Sequence, residues 1–296
     1  MRVPDEKTSC VAFCADAGYI EFVPAAIESI IRCGVTNADW ANFHVLTDRE
    51  PGRKLRDLLA QVSGGRFEIH LIDASRFSSF KEVTHISRGM YYRLLLPDVL
   101  EEDLILYLDC DILARHDLTE IFATDLQDKI AAAVVNPFYD AASAGLGDCQ
   151  LYFNSGVMLI DRRKWVAADV TAITMSYLAN NMKSVRMPDQ DALNHSLRDR
   201  WIELDPTYNC QTSMLARCEE LGLEIGSRWS TEFLGDPVLV HFSSSHKQWH
   251  RTSRIKFEAD YNRLTTHRKV KRRGYFLDIV TAVVRRFIFR ANPHFY

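Results

Sequence analysis

Leu104-Ile105-Leu106-Tyr107-Leu108-Asp109-Cys110-Asp111-Ile112-Leu113 is an apolar run broken by two carboxylates one residue apart. The apolar part reads as a buried strand, and ionised Asp is rarely buried unless it is paired or coordinates a metal. At strand spacing residues i and i+2 share a face, so Asp109 and Asp111 can aim two hard oxygen ligands at one spot where the strand ends. Strand alternation turns Cys110 to the opposite face and leaves it out of the ligand set. The divalent cation most often held by one or two carboxylates and completed by substrate phosphates is Mg²⁺ or its relative Mn²⁺. The pair therefore points to a phosphorylated substrate, against the alternative of solvated turn carboxylates or a helix cap.

The sequence on either side extends the pattern. Residues 9–15 form an apolar run ending at Asp16, and residues 19–33 carry helical periodicity through Phe22, Ala26, Ile27, Ile30 and Ile31. Residues 43–46 form a second short strand, followed by a helix up to Val62, and residues 67–72 form a third. This alternation predicts an α/β fold with a mixed, mainly parallel sheet flanked by helices. In such sheets ligands collect beyond the carboxyl ends of strands, where Asp16, Asp48 and Asp73 stand. Further along, the spacing predicts a helical stretch over 91–96, strands over 130–135 and 153–160, and helices over 163–183 and 189–197. Residues 138–150, rich in Ala, Gly and Ser, read as a mobile loop that suits a substrate lid.

Length and composition set the class. A chain of 296 residues with 47% hydrophobic and 25% charged residues is an ordinary globular protein with ample core. No stretch approaches the roughly 20 apolar residues that span a bilayer, and the first ten residues lack the apolar core of a signal peptide, so a cytoplasmic protein is expected. Seven cysteines with no Cys-x-x-Cys pattern read as reduced, structural thiols.

The net charge of −3 conceals a division. From Arg251 onward twelve Lys/Arg stand against Glu258, Asp260 and Asp278, a local net of +9, which leaves −12 for the rest. Residues 268–273 read Arg-Lys-Val-Lys-Arg-Arg, and an aromatic-rich helical pattern follows. Such a tail suits an anionic membrane surface; a helix docked on the acidic body and nucleic acid are the competing partners.

Other residues carry chemistry. His241 closes the apolar strand Val238-Leu239-Val240, and one imidazole with two carboxylates suits Mn²⁺ with open positions. Lys247, six residues later, can return to the same site as a phosphate-binding point charge. Pro188-Asp189-Gln190-Asp191 is dense in oxygen ligands at a helix start, where plain N-capping is the alternative. Asn154 sits within a strand, and Arg93 sits in Tyr91-Tyr92-Arg93-Leu94-Leu95, where a buried guanidinium needs an anionic or multiply polar partner.

Taken together, six motifs in order over roughly residues 9–250 resemble glycosyltransferase family 8. They are Phe13-Cys-Ala-Asp16-Ala-Gly-Tyr19; His85-Ile-Ser with Tyr91-Tyr-Arg93-Leu; Tyr107-Leu-Asp109-Cys-Asp111; Tyr152-Phe-Asn154-Ser-Gly-Val-Met-Leu-Ile; Asp189-Gln190-Asp191-x-Leu-Asn194; and His241-Phe followed by Lys247-x-Trp249. That family comprises retaining enzymes of GT-A fold, among them bacterial lipooligosaccharide and lipopolysaccharide galactosyl- and glucosyltransferases and glycogenin.

The resemblance implies a role for each position. Asp109, Asp111 and His241 would hold Mn²⁺, with Mg²⁺ as a substitute, against the diphosphate of a UDP-sugar that Asp109 and Lys247 also contact. Ala15, Asp16 and Ile86 would seat the uracil end, and Arg93, Asn154, Asp189 and Gln190 would surround the donor sugar. Gln190 and Asp189 are the catalytic candidates. Gln190 stands where the family would place a nucleophile; because an amide is a poor one, same-face attack assisted by the departing phosphate is favoured, with Asp189 as a base or electrostatic stabiliser.

The expectation is a retaining hexosyltransferase taking UDP-galactose or UDP-glucose to a saccharide acceptor, lipid-linked, in lipopolysaccharide or other surface glycan synthesis. Residues 1–250 form the catalytic domain, and residues 251–296 form a basic extension that attaches to the inner face of the cell membrane, with no nucleic acid partner. A nucleotide-sugar-binding protein without turnover and a metal-dependent phosphoesterase are the alternatives. Ser244, Gln248 and Gly18 depart from the family pattern, and Asn136 replaces an acceptor-contacting carboxylate of the galactosyltransferase branch.

Overall fold

Residues of both parities are apolar in the central strands because each parity has its own layer to bury against. In β1 (Ser9–Cys14), Val11 and Phe13 join one core with Ile27 and Ile30 of α1 (Val23–Arg32), while Cys10, Ala12 and Cys14 join a second core on the other face. The computed structural model describes residues 8–34, 42–80, 87–139, 141–142, 146–147, 151–221, 235–244, 247–249 and 256–266. After α1 come β2 (Phe43–Thr47), α2 (Arg53–Ser63) and β3 (Phe67–Leu71). A 3₁₀ stretch, Arg88–Leu95, then runs into a single α-turn, α3 (Leu96–Val99), and leads to β4 (Leu104–Leu108). Pro97 sits in the first turn of α3, where its missing N–H has no bond to lose.

The second half supplies β5 (Ile112–Ala114), β6 (Ala131–Val135), β7 (Phe153–Asp161), α4 (Arg162–Ala167), α5 (Val170–Asn181) and α6 (Pro188–Ser196). It closes with β8 (Trp201–Glu203), β9 (Cys210–Gln211), α7 (Thr212–Leu221), β10 (Leu239–His241) and α8 (Glu258–Leu264). The main sheet has seven strands in the order β3-β2-β1-β4-β7-β6-β8. Its pairs are parallel except those that β7 makes with β4 and β6. The sheet is therefore mixed and mainly parallel, as the alternation predicts.

The reversal of β7 matters most for the site. An antiparallel neighbour begins where its partner ends, so the first residues of β7 lie at the carboxyl edge of β4. The N–H of Asp109, just past β4, donates to the carbonyl of Gly156 at 2.8 Å. The register of β6 on β7 jumps from Ala133↔Met158 to Val134↔Asn154. The intervening Ser155, Gly156 and Val157 are thereby released from β6, and bulges of this kind re-aim side chains beside functional sites.

A second, three-stranded sheet, β5-β10-β9, brings residues 239–241 back to the Asp pair. In the antiparallel register His241 lies opposite Ile112, and Phe242 N–H donates to the carbonyl of Asp111 at 3.0 Å. On its other side β10 runs parallel to β9, which places His241 against Gln211.

Three sequence expectations change. Asp109 and Asp111 lie in the turn between β4 and β5 rather than on a strand, since β4 stops at Leu108; a turn, not the two-residue pleat, aims both carboxylates. The single helix expected over 163–183 is two, broken at Asp169, whose φ of 51° is left-handed. Asp tolerates that conformation better than most residues. Within the expected loop 138–150, Ala141 and Leu146 bury with Tyr152 and Tyr139 in a small cluster of their own, while residues 140, 143–145 and 148–150 lie outside the described residues.

The start of the C-terminal segment packs on the body. Tyr261 of α8 is buried with Ala25, Leu113, Val240 and Phe242, and Thr266 donates its N–H and its hydroxyl to the carboxylate of Glu28 on α1. The basic cluster of the tail lies outside the described residues, among which no helix is long and apolar enough to cross a membrane. The six described cysteines are free thiols.

Candidate active site

A cleft opens at the carboxyl edge of the sheet, lined by the ends of β1 and β4, the start of β7, the start of α6 and the end of β10. Asp109, Asp111 and His241 form its floor, and ligand atoms of the three lie within 4.8 Å of one another. His241 Nε2 stands 3.3 Å from Asp111 Oδ1 and 3.6 Å from Asp109 Oδ2.

Which His241 nitrogen carries a hydrogen toward Asn209 follows from one backbone donor. Gly156 N–H donates to Asn154 Oδ1 at 3.0 Å, which fixes that atom as oxygen. Asn209 Nδ2 must then be the atom donating to it at 2.9 Å, so Asn209 presents its oxygen to His241 Nδ1 at 3.0 Å. An oxygen there requires Nδ1–H, which leaves Nε2 as the ring nitrogen that faces the two carboxylates. Two carboxylates and an imidazole nitrogen converging there need positive charge among them, which either a proton on Nε2 or a bound cation supplies. Asp111 Oδ1 is itself buried with no hydrogen-bond partner. Two hard oxygens and one neutral imidazole oriented from behind are a fitting set for a Mn²⁺-class ion.

The same chain of amides runs on to the sugar side of the cleft. Asn154 Nδ2 donates to Gln190 Oε1 at 3.0 Å, Ser155 N–H donates to the same oxygen at 3.1 Å, and Gln190 Nε2 donates to the Tyr152 hydroxyl at 3.1 Å. Gln190 is only 3% exposed and every polar atom of its amide is occupied. Asn194 clamps α6 to the start of β7 by exchanging bonds with both backbone groups of Phe153, at 2.8 and 2.9 Å. Asp191, by contrast, turns away: it accepts from the Tyr139 and Tyr152 hydroxyls and from the N–H groups of Arg186 and Met187. Of the Asp-Gln-Asp run, two residues line the cleft and the third fastens the helix start.

Asn209 is fully buried in the turn before β9, and its place in this chain gives a clean expectation. Asn209→Leu removes the acceptor for His241 Nδ1 and is expected to weaken Mn²⁺ binding about 10- to 100-fold, the usual cost of losing a ligand's supporting partner. Asn209→Asp keeps that acceptor but cannot donate to Asn154, so it should retain more of the Mn²⁺ affinity while still slowing turnover. Equal loss of Mn²⁺ affinity in both variants would contradict the assigned tautomer.

Arg93 ties the two halves together. It is 7% exposed, donates to Asp109 Oδ1 at 2.9 Å and to Ser155 at 2.8 and 3.0 Å, approaches Asp189 at 3.4 Å and lies 4.6 Å over the Tyr107 ring. Burial alone would discharge it; Asp109, followed by Tyr107 and Asp189, more than offsets this and holds the guanidinium charged. Tyr107 also donates its hydroxyl to Asp109. For Asp189 burial is the leading effect and raises its pKa, with Arg93 pulling the other way.

Lys247 donates to Asp111 and, at 2.8 Å, to the carbonyl of Phe242. Burial opposes its charge, but Asp111 reverses the effect and raises the ammonium pKa. The reciprocal pull of Lys247 and His241 holds the Asp111 carboxyl below its ordinary range despite burial. The segment returns here because Trp249 stacks flat on Phe22, rings 3.7 Å apart and 9° from parallel, with Tyr19 edge-on to both.

At the far end of the cleft Ala15 lines the wall, while the Asp16 carboxylate folds back to accept the N–H of Gly18 at 2.8 Å. A side chain at position 18 would press on that carboxylate at 3.1 Å. Ile86 lies outside the described residues. Cys110 also touches the cleft, contrary to the strand-based expectation, because it sits in the turn; burial pushes its thiol far up and keeps it protonated. Asn209, Ser155, Gly156 and Tyr107 were not singled out from sequence. Tyr107 and the Asn154-Ser155-Gly156 run fall inside the quoted motifs, but Asn209 has no signal beyond a polar residue ahead of a short strand.

The model of glycosyl transferase family 8 matches residues 10–253. General stress protein A of Bacillus subtilis is 27% identical over 263 residues, 85% of this chain and 91% of that protein. The lipopolysaccharide 1,2-glucosyltransferase of Escherichia coli K12 is 28% identical over 251 residues, 81% of this chain and 72% of that protein. Among solved structures, galactosyltransferase LgtC in complex with donor and acceptor sugar analogs superposes with a TM-score of 0.73 at 24% identity, covering 86% of this chain and 94% of that one. At that identity the likeness speaks for the GT-A fold.

Proposed function

The chain belongs to glycosyl transferase family 8 and is a glycosyltransferase, and from that premise we propose that it moves galactose or glucose from a UDP-sugar to a saccharide acceptor with retention of configuration. The single observation that carries the reading is the convergence of Asp109, Asp111 and His241 around the unpartnered Asp111 Oδ1, beside a wall of sugar-sized polar groups. Asp109, Asp111 and His241 would hold Mn²⁺, or Mg²⁺ in its place, and the ion would supply positive charge for a departing diphosphate. Lys247, already charged beside Asp111, adds a second positive group on the same side. Ala15, Asp16 and Ile86 take the uracil end, and Arg93, Asn154, Asp189 and Gln190 take the sugar.

The amide of Gln190 favours same-face attack over a double displacement. Its oxygen already accepts from Asn154 and Ser155, so bonding to the anomeric carbon would strip two hydrogen bonds from a buried group. In the proposed reaction the acceptor oxygen bonds to the anomeric carbon as the bond to the diphosphate breaks, and a departing phosphate oxygen takes the acceptor's proton. Asp189, buried beside Arg93, stabilises the positive charge that develops on the sugar.

The direct test is a screen of UDP-sugars for metal-dependent UDP release, with anomeric configuration of the product read by NMR. Chelator is expected to abolish release, and added Mn²⁺ to restore it more fully than Mg²⁺. UDP release untouched by chelator, or inorganic phosphate as the product, would overturn the reading.

We further propose that residues 251–296 form a basic extension that brings the enzyme to the anionic inner face of the cell membrane, where lipid-linked acceptors of lipopolysaccharide or related surface glycans reside. What supports this is the local charge of +9 against −12 elsewhere. Because α8 is docked through Tyr261 and Glu28, the informative truncation ends after Thr266 rather than at Arg251. It should lower binding to anionic liposomes while donor hydrolysis persists; undiminished liposome binding would refute the attachment.

A further inference from the structure

Away from the cleft, at the edge of the main sheet, a second group of metal-ligating side chains gathers on β2 and β3. His44 lies opposite Glu68 in the parallel register, and His70 is two residues along the edge strand on the same face. His44 Nδ1 is 2.9 Å from His70 Nε2, and Glu68 Oε2 is 3.9 Å from the same His70 nitrogen. Behind them His44 Nε2 meets Glu102 Oε1 at 3.0 Å. Ligand atoms of His44, Glu68 and His70 all lie within 4.8 Å of one another. Nothing in the proposed transfer uses these residues: they lie on the edge pair β2–β3, two strands away from β4, whose end Asp109 follows.

We propose that His44 Nδ1, His70 Nε2 and the Glu68 carboxylate bind a Zn²⁺-class divalent cation, with its remaining position open to water, as a staple across the edge strand. Several features carry this. The Glu102 carboxylate can only accept, so His44 Nε2 carries the hydrogen and its Nδ1 lone pair points at His70. That carboxylate–histidine arrangement is the one found behind metal-bound imidazoles. With the ion bound, the His70 hydrogen moves from Nε2 to Nδ1, so the ring stays neutral and no proton is lost.

The geometry asks for little movement. Two ligands of a tetrahedral Zn²⁺ at ordinary Zn–N lengths stand roughly 3.3 Å apart, so the two nitrogens part by a few tenths of an ångström. The Glu68 side chain is 71% exposed and free to swing in. The ligand set also selects its ion. Two imidazoles and one carboxylate favour Zn²⁺, Ni²⁺ or Cu²⁺ over Mg²⁺, in contrast to the carboxylate-rich centre at Asp109. Cys10 also gathers with His44 and Glu102 within 4.8 Å, but the hydrogen that His44 Nε2 gives to Glu102 leaves that side of the ring no lone pair to offer an ion.

The test is calorimetric titration with Zn²⁺ of the full chain carrying Asp109→Asn and Asp111→Asn, which silences the other centre. About one equivalent should bind and raise the melting temperature. Adding His70→Ala should abolish that binding. Glu68→Gln, on an exposed side chain that cannot disturb folding, should weaken it, as should Glu102→Gln by about 10- to 100-fold. His70→Ala in the otherwise unaltered protein should keep Mn²⁺-dependent UDP release. The proposal fails if the silenced protein binds no Zn²⁺ at micromolar concentration, or if His70→Ala and Glu68→Gln leave the binding unchanged, in which case His70, His44 and Glu102 are a hydrogen-bonded chain and nothing more.

Discussion

Asp111→Asn is expected to lower Mn²⁺-dependent UDP release by about 10²- to 10³-fold, the range typical of removing one charge-stabilising group from an active site. The substitution is close to isosteric, so shape is kept and charge is lost. In the parent one Asp111 oxygen accepts from Lys247 and the other faces His241 at 3.3 Å. The variant leaves the ammonium buried without its counter-charge, and breaking a buried pair in this way costs about 3 kcal/mol.

The pH dependence of that cost has a definite sign. Asp111 has its carboxyl depressed in the folded protein, chiefly by Lys247 and His241 acting against burial. Its contribution is therefore complete above the ordinary carboxyl range near pH 4 and fades as pH falls further. The stability difference between parent and variant should be full at neutral pH and narrow in acid. Lys247 is raised, so its share is complete below about pH 10 and is lost at higher pH. Activity of Asp111→Asn within a few fold of the parent, measured at saturating Mn²⁺, would remove the basis of the proposed centre.

Gly156→Ala is the second large effect, and it arises from a single missing atom. A Cβ on residue 156 would stand 2.4 Å from His241 Cε1, 2.7 Å from Asp109 Oδ2 and 2.9 Å from His241 Nδ1. None of these contacts can be relieved by a flexible chain end: His241 is held by Asn209, and Asp109 by Arg93 and Tyr107. One of the two candidate ligands must move, so Mn²⁺ affinity should fall at least about 10-fold, and overpacking should cost about 1–3 kcal/mol. Gly235→Ala, where an added Cβ meets nothing within 4 Å, is the control and should change neither. Unaltered Mn²⁺ affinity in Gly156→Ala would mean that His241 and Asp109 need not approach as closely as they do here.

Much of the fold was legible because buried parallel strands write themselves as uninterrupted apolar runs, and the helices between them carry the 3.6 period. β1, β2, β3 and β4 fall within a residue or two of the expected runs. The short strands β5, β8, β9 and β10 are harder: two or three residues have no period, and what holds them extended is pairing with distant partners. The break at Asp169 was hidden because the apolar periodicity continues on both sides of it and one left-handed residue leaves no compositional trace. Asp191 shows the limit at the level of single residues. From sequence it is as good a ligand as Asp189, one turn position away; only the hydroxyls of Tyr139 and Tyr152 and the N–H groups of Arg186 and Met187 assign it to the scaffold.

By itself the sequence determined the class of fold, the family, and the set of residue types able to meet a cation and a phosphorylated sugar, because periodicity and motif order are properties of the chain alone. Which of those residues meet was decided by tertiary structure. The reversal of β7 carries Asn154 and Gly156 to the end of β4, the β5–β10 register carries His241 to Asp111, and buried Asn209 fixes which imidazole nitrogen faces the carboxylates. The physical reason is that strand direction, register and tautomer are set by hydrogen bonds between segments far apart in the chain. A local pattern constrains what each segment is and not what it is set against.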